Sequence, residues 1–241
     1  MVNIVIAEFR KLKGSNIVWI CLAGCFLMPV MSLFVGTSVT RPNAWMEYCT
    51  NSMWMSILLW WPCIFGLMGT YIFTRERIEN TYKNLFIIPI GRVPLVLSKL
   101  FVLLIVILGI TFLSYVLNIV GILIGVKFTL SEFVQGLGIY MSSGLLMFIA
   151  IFPVLLIALI SQKGFLISVC VTFMYAFLSF IGIWSPMLSS VLPIVSILRI
   201  CNNTSLSIDY SFPVSVNLIS MGLIGGISFA GIIYAAGKQE A

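Results

Sequence analysis

The charged side chains of this chain gather in residues 74–99, with the sequence TRERIENTYKNLFIIPIGRVPLVLSK. This segment holds five of the thirteen lysine and arginine residues and two of the seven acidic residues, although only 8% of the chain is charged. Long apolar runs lie on both sides of it. Because charge in hydrocarbon is costly, the segment must lie in water. There it can act as a basic loop that sets the membrane topology, or as a surface on which a soluble partner docks and transmits movement to the membrane helices.

Residues 80–88 of this segment are predicted to form a short amphipathic helix. Asn80–Thr81 can cap its N-terminus through a side-chain oxygen. Glu79 and Lys83 form an i, i+4 pair in the order that stabilises a helix. Pro89 disfavours helical geometry at the residue before it and so ends the helix. Three apolar side chains at helical spacing form one ridge along it, namely Tyr82, Leu85 and Phe86.

Several kinds of chemistry are excluded by what the chain lacks. It contains no histidine, which excludes a histidine-dependent intramembrane protease and a histidine metal site. It has no GxxxxGK(S/T) phosphate-binding loop and cannot hydrolyse ATP itself. Its six cysteines have no metal-ligand spacing, and a disulfide between Cys49 and Cys201 stays open. No acidic residue falls deep in an apolar run, which argues against a proton- or ion-coupled carrier.

The apolar runs that flank these groups predict an all-α integral membrane protein. The chain has 241 residues and a mean hydropathy of +1.17. Runs that cross a bilayer must be helical because their backbone has to satisfy its own hydrogen bonds. Residues 1–241 are predicted to form a single transmembrane domain with six spans, at about residues 17–36, 53–73, 100–126, 133–160, 165–184 and 212–236.

Two further segments are predicted to lie at the membrane surface. Residues 2–13 place most of their apolar side chains on one arc of a helix and most of their charged ones on the other, which predicts an amphipathic helix in the headgroup region. Residues 187–200 are apolar but too short to cross the membrane, and Pro193 interrupts them. They are therefore predicted to form a re-entrant segment before the last span.

The basic residues set the orientation of this arrangement. Ten of the thirteen fall on the side of the N-terminus, namely Arg10, Lys11, Lys13, Arg75, Arg77, Lys83, Arg92, Lys99, Lys163 and Lys238. Only Arg41, Lys127 and Arg199 fall on the other side. This bias predicts that both termini are cytoplasmic. Anionic lipid headgroups account for the net charge of +6, so no nucleic-acid partner is needed.

The layout of the whole chain resembles that of the type-2 ABC exporter permeases, above all the small permeases of bacterial lantibiotic-immunity and peptide-export systems. The shared features are an N-terminal amphipathic helix containing EFRKLK, six spans, a charged connection between the second and third spans, and a broken apolar segment before the sixth. The family pattern of an acid, a short TLxNLxxxP helix and a lysine that opens the third span is matched by Arg75–Glu76, Thr81, Asn84–Leu85, Pro89 and Lys99. The chain departs from it at Asn80, usually glycine, and Tyr82, commonly leucine.

The resemblance implies a permease subunit of the bacterial cytoplasmic membrane that binds no cofactor and has no ATPase site of its own. Two such subunits, identical or paired with a sister permease, would sit on two ABC ATPase subunits that bind ATP and Mg²⁺. Residues 80–88 would be the coupling helix that docks on the ATPase, and residues 2–13 the connecting helix beside it. The residues implied in coupling are Glu76, Glu79, Thr81, Tyr82, Leu85, Phe86 and Pro89.

The substrate that the resemblance implies is an exported hydrophobic or amphipathic peptide, such as a lantibiotic or another antimicrobial peptide. Ser114, Tyr115 and Asn118 in the third span are candidates for the substrate path, and hydrogen bonding inside the protein is the other interpretation of these polar residues. Two other functions fit the sequence. One is an ATP-independent carrier or channel, and the other is a non-transporting membrane anchor subunit.

The six-span arrangement predicts which positions are accessible from each side of the membrane. Single cysteines in a cysteine-free background, introduced as Lys163→Cys, Glu47→Cys, Lys127→Cys and Asp209→Cys, can be labelled with a membrane-impermeant maleimide in intact and in permeabilised cells. We expect position 163 to react only after permeabilisation and the other three to react in intact cells. Labelling of position 163 in intact cells would contradict the six-span arrangement.

Overall fold

The protein is helical in the part of the chain that the computed structural model describes, which is residues 2–12, 14–32, 34, 44–78, 91–161, 165–201 and 208–238. No strand occurs among these residues. The helices are α1 (Val2–Leu12), α2 (Asn16–Ser32), α3 (Ala44–Met55), α4 (Trp61–Ile78), α5 (Arg92–Leu117), α6 (Leu130–Ala150), α7 (Phe152–Ile160), α8 (Phe165–Gly182), α9 (Pro186–Val191), α10 (Pro193–Ile200) and α11 (Val214–Lys238). A π-helical turn (Ser56–Trp60) joins α3 to α4, and a 3₁₀ turn (Asn118–Ile124) continues α5.

Five helical runs in the described residues are long and apolar enough to cross a membrane. They are Ala44–Glu76, Arg92–Gly121, Leu130–Ile160, Phe165–Gly182 and Val214–Lys238. The segments Ile4–Leu12 and Ile17–Ser32 meet these criteria only as a pair, which is bent by 72°. The prediction of an all-α integral membrane protein is confirmed.

The run from α3 into α4 is the centre of the bundle. Of its most apolar window, 67% is buried, against 28% for the corresponding windows of α8 and α11. α4 packs against α8, α7, α5 and α2. Its approach to α8 is close because Gly66 has no side chain, and a Cβ atom there would lie 2.2 Å from Cγ2 of Thr172. Helix α4 is therefore the common partner of α2, α5, α7 and α8, whereas α11 packs against α7, α10, α9, α5 and α6.

Helix α3 begins at Ala44, whereas the apolar run of the sequence predicts the start of the second span at residue 53. Polar residues among positions 44–52 lower the mean hydropathy there, so that averaged hydropathy does not reveal the apolar face of α3. On that face Trp45, Tyr48 and Met53 are all fully buried, and the ring centroid of Trp45 lies 4.6 Å from that of Phe128. Burial of large aromatic side chains thus extends the helix beyond the apolar run of the sequence.

Helix α5 also begins earlier than the predicted third span, at Arg92 rather than near residue 100. Gly91 precedes it in an extended conformation. Pro94 lies in the first turn, where its missing N–H costs no helical hydrogen bond. Lys99 therefore projects from within the helix, with Arg92 and Lys99 both buried.

The predicted fourth span, residues 133–160, contains a break between α6 and α7 at Ile151. Pro153 lies in the first turn of α7 and cannot donate the hydrogen bond that a continuous helix requires. The hydroxyl of Tyr175 donates to the carbonyl of Ala150 at 2.9 Å, which satisfies an acceptor at the break. At the other end, a capping box of Thr129 and Glu132 begins α6.

Helices α9 and α10 form a hairpin broken at Pro193, in the segment predicted to be re-entrant. The two ends of the hairpin meet in front of α11. Ser211 N donates to the carbonyl of Pro186 at 3.1 Å, and Arg199 Nη1 donates to the carbonyl of Phe212 at 2.6 Å. Both ends of the segment thus contact the residues just before α11. Its depth in the membrane stays a prediction.

Candidate functional site

Five charged side chains from three helices meet near the end of α4, and we call them the Glu76 cluster. Glu8 and Lys11 belong to α1, Arg75 and Glu76 to α4, and Lys99 to α5. The charge distribution of the sequence predicts that all three segments lie on the cytoplasmic side. The cluster therefore occupies the predicted cytoplasmic end of the bundle.

The carboxylate of Glu76 bridges two lysines. Its Oε2 accepts a hydrogen bond from Lys99 Nζ at 2.7 Å, and its Oε1 accepts one from Lys11 Nζ at 2.9 Å. Lys99 Nζ also donates to the carbonyl of Ile72 at 3.3 Å, and Lys11 Nζ donates to Glu8 Oε1 at 2.5 Å. Since charge-assisted hydrogen bonds are the stronger ones, this one carboxylate ties both α1 and α5 to the last turns of α4.

Arg75 provides a second connection between α4 and α1. Its guanidinium donates to the backbone carbonyl of Lys11, in the last turn of α1. The last carbonyls of a helix have no partner within it and carry partial negative charge, so a cation is favourable there. Arg75 also lies 5.7 Å from the centre of the Tyr71 ring. The C-terminus of α1 is thus held against α4 by both its backbone and its side chains.

The cluster is largely shielded from water. Glu8 and Glu76 are each 6% exposed and Lys99 is 4% exposed, whereas the side chain of Lys11 is 39% exposed. Burial of a charge costs several kcal/mol, which is offset only by close partners and complete hydrogen bonding. Removing one member of the Glu76–Lys99 pair would leave the other charge buried without its partner. The Glu76–Lys99 pair therefore favours the arrangement in which α4 and α5 are packed together over arrangements that separate the two charges.

No substrate fits into the cluster. The cavity beside it has a volume of about 10 Å³, and Leu12, Ile72 and Val102 complete its wall. This volume corresponds to about one water molecule. The cluster can hold helices together and transmit movement between them, but it has no room for a peptide.

The predicted coupling residues lie next to this cluster in the chain. Glu76 is among the described residues, and its carboxylate faces two lysines of its own chain rather than solvent. The others fall within residues 79–90, outside the described residues, and they are Glu79, Thr81, Tyr82, Leu85, Phe86 and Pro89. Their role in coupling stays a prediction. The described helices that flank this segment are α4 and α5, the two that Glu76 and Lys99 join.

The three candidates for a substrate path lie in the packed core between α5 and α6. Ser114, Tyr115 and Asn118 are all buried. The hydroxyl of Tyr115 donates to the carbonyl of Phe133 at 2.5 Å. Asn118 Nδ2 donates to the carbonyl of Ser114 at 3.2 Å and to the hydroxyl of Tyr140 at 3.0 Å. These contacts correspond to hydrogen bonding inside the protein.

The network continues into α3, because the Tyr140 hydroxyl donates to the carbonyl of Cys49 at 3.0 Å. The thiols of Cys49 and Cys201 are both free, so they form no disulfide. Asn118 Oδ1 has no hydrogen-bond partner in the described part of the chain. Ser114, Tyr115 and Asn118 are absent from the walls of two larger cavities, one beside Trp60 and Phe173 and one beside Trp54 and Trp184. Their contact with substrate stays a prediction.

The family pattern in the sequence includes Glu76 and Lys99, but it does not indicate Glu8 and Lys11 as their partners. A signal was present, because residues of opposite charge occurred on three segments that the positive-inside bias places on one face. The sequence does not specify which helices are neighbours. The pairing therefore emerges only when α1 packs against α5 and α4.

The model of a known protein family, the ABC-2 family transporter proteins, matches residues 4–179. This match covers more than half of the chain and includes every member of the Glu76 cluster. The chain belongs to the ABC-2 transporter family. The resemblance inferred from the sequence is thereby confirmed, and the protein is a multi-pass membrane protein of this family.

A curated relative of this ABC-2 protein is the bacitracin transport permease protein BCRB of Bacillus licheniformis. The two chains are 32% identical over 118 residues, which is 48% of this chain and 56% of the relative. The chain thus spans about half the length of the relative that it matches.

The buried pair predicts a specific pattern of stability in this ABC-2 protein. Glu76→Gln should lower the free energy of unfolding by about 3 kcal/mol or more, because Lys99 is left buried without its counter-charge. The double variant Glu76→Leu with Lys99→Met should recover most of this loss, because neither charge of the buried pair remains and Lys11, which is partly exposed, keeps its contact with Glu8. Unfolding in mixed micelles, followed by circular dichroism, measures the difference.

The control for this cycle is Glu132→Gln, which removes an acid from an exposed capping box at the start of α6. Its effect should be about 1 kcal/mol or less. Equal losses in Glu76→Gln and Glu132→Gln, or a double variant less stable than Glu76→Gln, would contradict the structural importance of the buried pair.

Proposed function

We propose that this chain is the membrane-spanning subunit of an ATP-driven exporter in the bacterial cytoplasmic membrane, with both termini in the cytoplasm. ATP and Mg²⁺ would bind to two separate ABC ATPase subunits, since the sequence has no phosphate-binding loop. A second permease subunit, either identical or a sister protein, would complete the pathway. The observation that carries this proposal is the match of residues 4–179 to the ABC-2 transporter family.

The proposed substrate is a hydrophobic or amphipathic peptide, such as a lantibiotic or another antimicrobial peptide. Two observations support this class. The relative that matches half of the chain is named as a bacitracin transport permease. The bilayer-crossing runs are also strongly apolar, with mean hydropathies from 1.6 to 2.8 in their most apolar windows. A substrate that partitions into the membrane would reach such a protein from lipid.

The proposed mechanism gives the Glu76 cluster the role of a rigid joint. A movement of the ATPase would be received by residues 80–88, which lie between α4 and α5 in the chain. Because the Glu76 carboxylate holds both Lys99 of α5 and Lys11 of α1, the push would move the three helices together. Their movement would change the exposure of a cavity between two permease subunits.

Glu76 and Glu79 then contribute to coupling in different ways. Glu76 would act through its buried contacts, which keep the ends of α1, α4 and α5 together. Glu79 would orient the coupling helix through charged partners on the ATPase. The effect of substituting Glu79 should therefore vary more with salt concentration. In this mechanism the substrate path includes Ser114, Tyr115 and Asn118 only if their hydrogen bonds open during transport.

Two other functions remain distinguishable from this proposal. An ATP-independent carrier or channel would transport substrate in vesicles that contain no ATPase. A non-transporting anchor subunit would bind its partner, and changes in residues 74–99 would then affect assembly alone. Reconstitution of the chain with and without its ATPase separates these functions.

The ridge of the predicted coupling helix provides the sharpest test. The double variant Leu85→Ala with Phe86→Ala should remain inserted but lose substrate-stimulated ATPase activity and co-purification of the ATPase. Burial of one such side chain is worth roughly 1.5–3 kcal/mol, and loss of a central anchor costs an interface about 2 kcal/mol or more. The measurement is ATPase activity in proteoliposomes, together with the yield of the complex on affinity purification.

A matched control is Leu166→Ala with Ile167→Ala in α8, where a similar pair of large side chains is exposed on the surface of the chain. This pair also lies near the predicted cytoplasmic face, but outside the coupling segment. We expect the control to retain stimulation. If the variant at positions 85 and 86 is stimulated as strongly as the control, residues 80–88 do not form the coupling helix.

A further inference from the structure

A cavity of about 410 Å³ lies between the end of α8, the start of α9 and the residues before α11. Its wall includes the aromatic residues Trp54, Phe180 and Trp184, together with the acidic residue Asp209. Pockets of about 300–1,000 Å³ are the usual size for small ligands. Aromatic rings and one carboxylate are the groups that recognise organic cations in proteins. The cavity therefore has room for a small ligand and aromatic side chains to contact it, whereas the Glu76 cluster consists of paired charges beside a cavity of about 10 Å³.

This cavity lies at the opposite end of the bundle from the Glu76 cluster. Trp54 and Glu76 belong to the same helical run, Ala44–Glu76. At about 1.5 Å per residue, they are separated by roughly 33 Å along its axis. A ligand in the cavity would thus meet the protein at the face predicted to be external.

The wall that carries Asp209 is held in place by hydrogen bonds. The hydroxyl of Ser189 donates to the carbonyl of Asp209 at 2.7 Å. Asn217 Nδ2 donates to the carbonyl of Ser189 at 3.4 Å and to the hydroxyl of Ser196 at 2.9 Å. Ser189, Ser196 and Asn217 are fully buried. The backbone at Asp209 is therefore held by the packing of α9 and α10 against α11, and its side chain is exposed at the wall of the cavity.

Arg199, the cation near Asp209 in the chain, contacts groups other than the Asp209 carboxylate. Arg199 donates to Asn217 Oδ1 at 2.8 Å and lies over the ring of Tyr210, 4.3 Å from its centre. Burial raises the pKa of Tyr210, against the opposing charge of Arg199, so its hydroxyl stays neutral at neutral pH. Among the described residues, no lysine or arginine forms an ion pair with Asp209. The negative charge on this wall is thus available to a ligand.

We propose that this cavity binds an ammonium group, with the rings of Trp54, Phe180 and Trp184 as its aromatic wall and Asp209 as its counter-charge. A cation within about 6 Å of an aromatic ring centroid is attracted by the ring, most strongly by tryptophan. Asp209 adds a direct electrostatic attraction. The ammonium group has two possible sources, a lysine side chain or amino terminus of a cationic peptide, and the headgroup of a phospholipid.

The test measures binding of soluble ammonium compounds to the purified full chain in maltoside micelles, followed by tryptophan fluorescence. Choline is compared with dimethylbutanol, its neutral isostere in which carbon replaces the ammonium nitrogen. Lysine methyl ester represents the peptide source, and short-chain phosphatidylcholine represents the lipid source. We expect choline to bind at least about fivefold more tightly than its neutral isostere, as a cation–aromatic contact predicts.

Two variants locate the site. Asp209→Asn should weaken binding of choline about five- to tenfold, and Trp184→Leu should weaken it by a similar factor. Trp19→Leu is the matched control, because Trp19 is an exposed tryptophan of α2 outside the cavity wall. It should leave the affinity unchanged. Asp209→Glu, which retains the charge, should retain most of the affinity.

Each outcome decides the proposal. Binding of lysine methyl ester assigns the site to peptide amines, and binding of the phospholipid alone assigns it to headgroups. Equal binding of choline and dimethylbutanol, or unchanged affinity in Asp209→Asn, would overturn the proposal and leave the tryptophans as interfacial residues. Since the assay contains neither ATP nor an ATPase, its failure would leave the proposed transport function standing.

Discussion

The arrangement of this protein depends on one buried carboxylate held between two lysines. Glu76 ends the most buried helical run of the bundle and contacts Lys99 of α5 and Lys11 of α1. The contact replaces the hydration that Glu76 and Lys99 would have in water, and it does so only when the helices are packed together. This requirement joins α1, α4 and α5 at the predicted cytoplasmic end of the bundle.

The two ends of the central helical run are built from different chemistry. At the Glu76 end the charges are paired, and the neighbouring cavity holds about 10 Å³. At the Trp54 end, a cavity of about 410 Å³ has aromatic walls and an aspartate that lacks an ion-pair partner in the described residues. The first end suits transmission of movement, and the second suits contact with a ligand. Under the proposed function, the first end would receive movement from the ATPase and the second would lie on the side where substrate is released.

The sequence predicts the fold class because long apolar runs have few structural solutions in a bilayer. It predicts less well where burial comes from aromatic side chains among polar neighbours, as at Trp45 and Tyr48, because averaged hydropathy hides such a face. It also shows the charges of the Glu76 cluster without their pairing, since contacts between residues 11, 76 and 99 depend on helix packing. Six of the predicted coupling residues lie in residues 79–90, so their role rests on the sequence pattern.

The most direct test of the account is whether α1 and α5 move together when ATP binds to the assembled transporter. Spin labels at Ile6→Cys in α1 and Phe112→Cys in α5, both exposed positions, give this distance by pulsed electron paramagnetic resonance in a cysteine-free background. We expect the distance within one subunit to be the same with and without trapped ATP, while the distance between the α1 labels of two subunits changes. A shift of the α1–α5 distance on ATP binding would contradict the rigid joint.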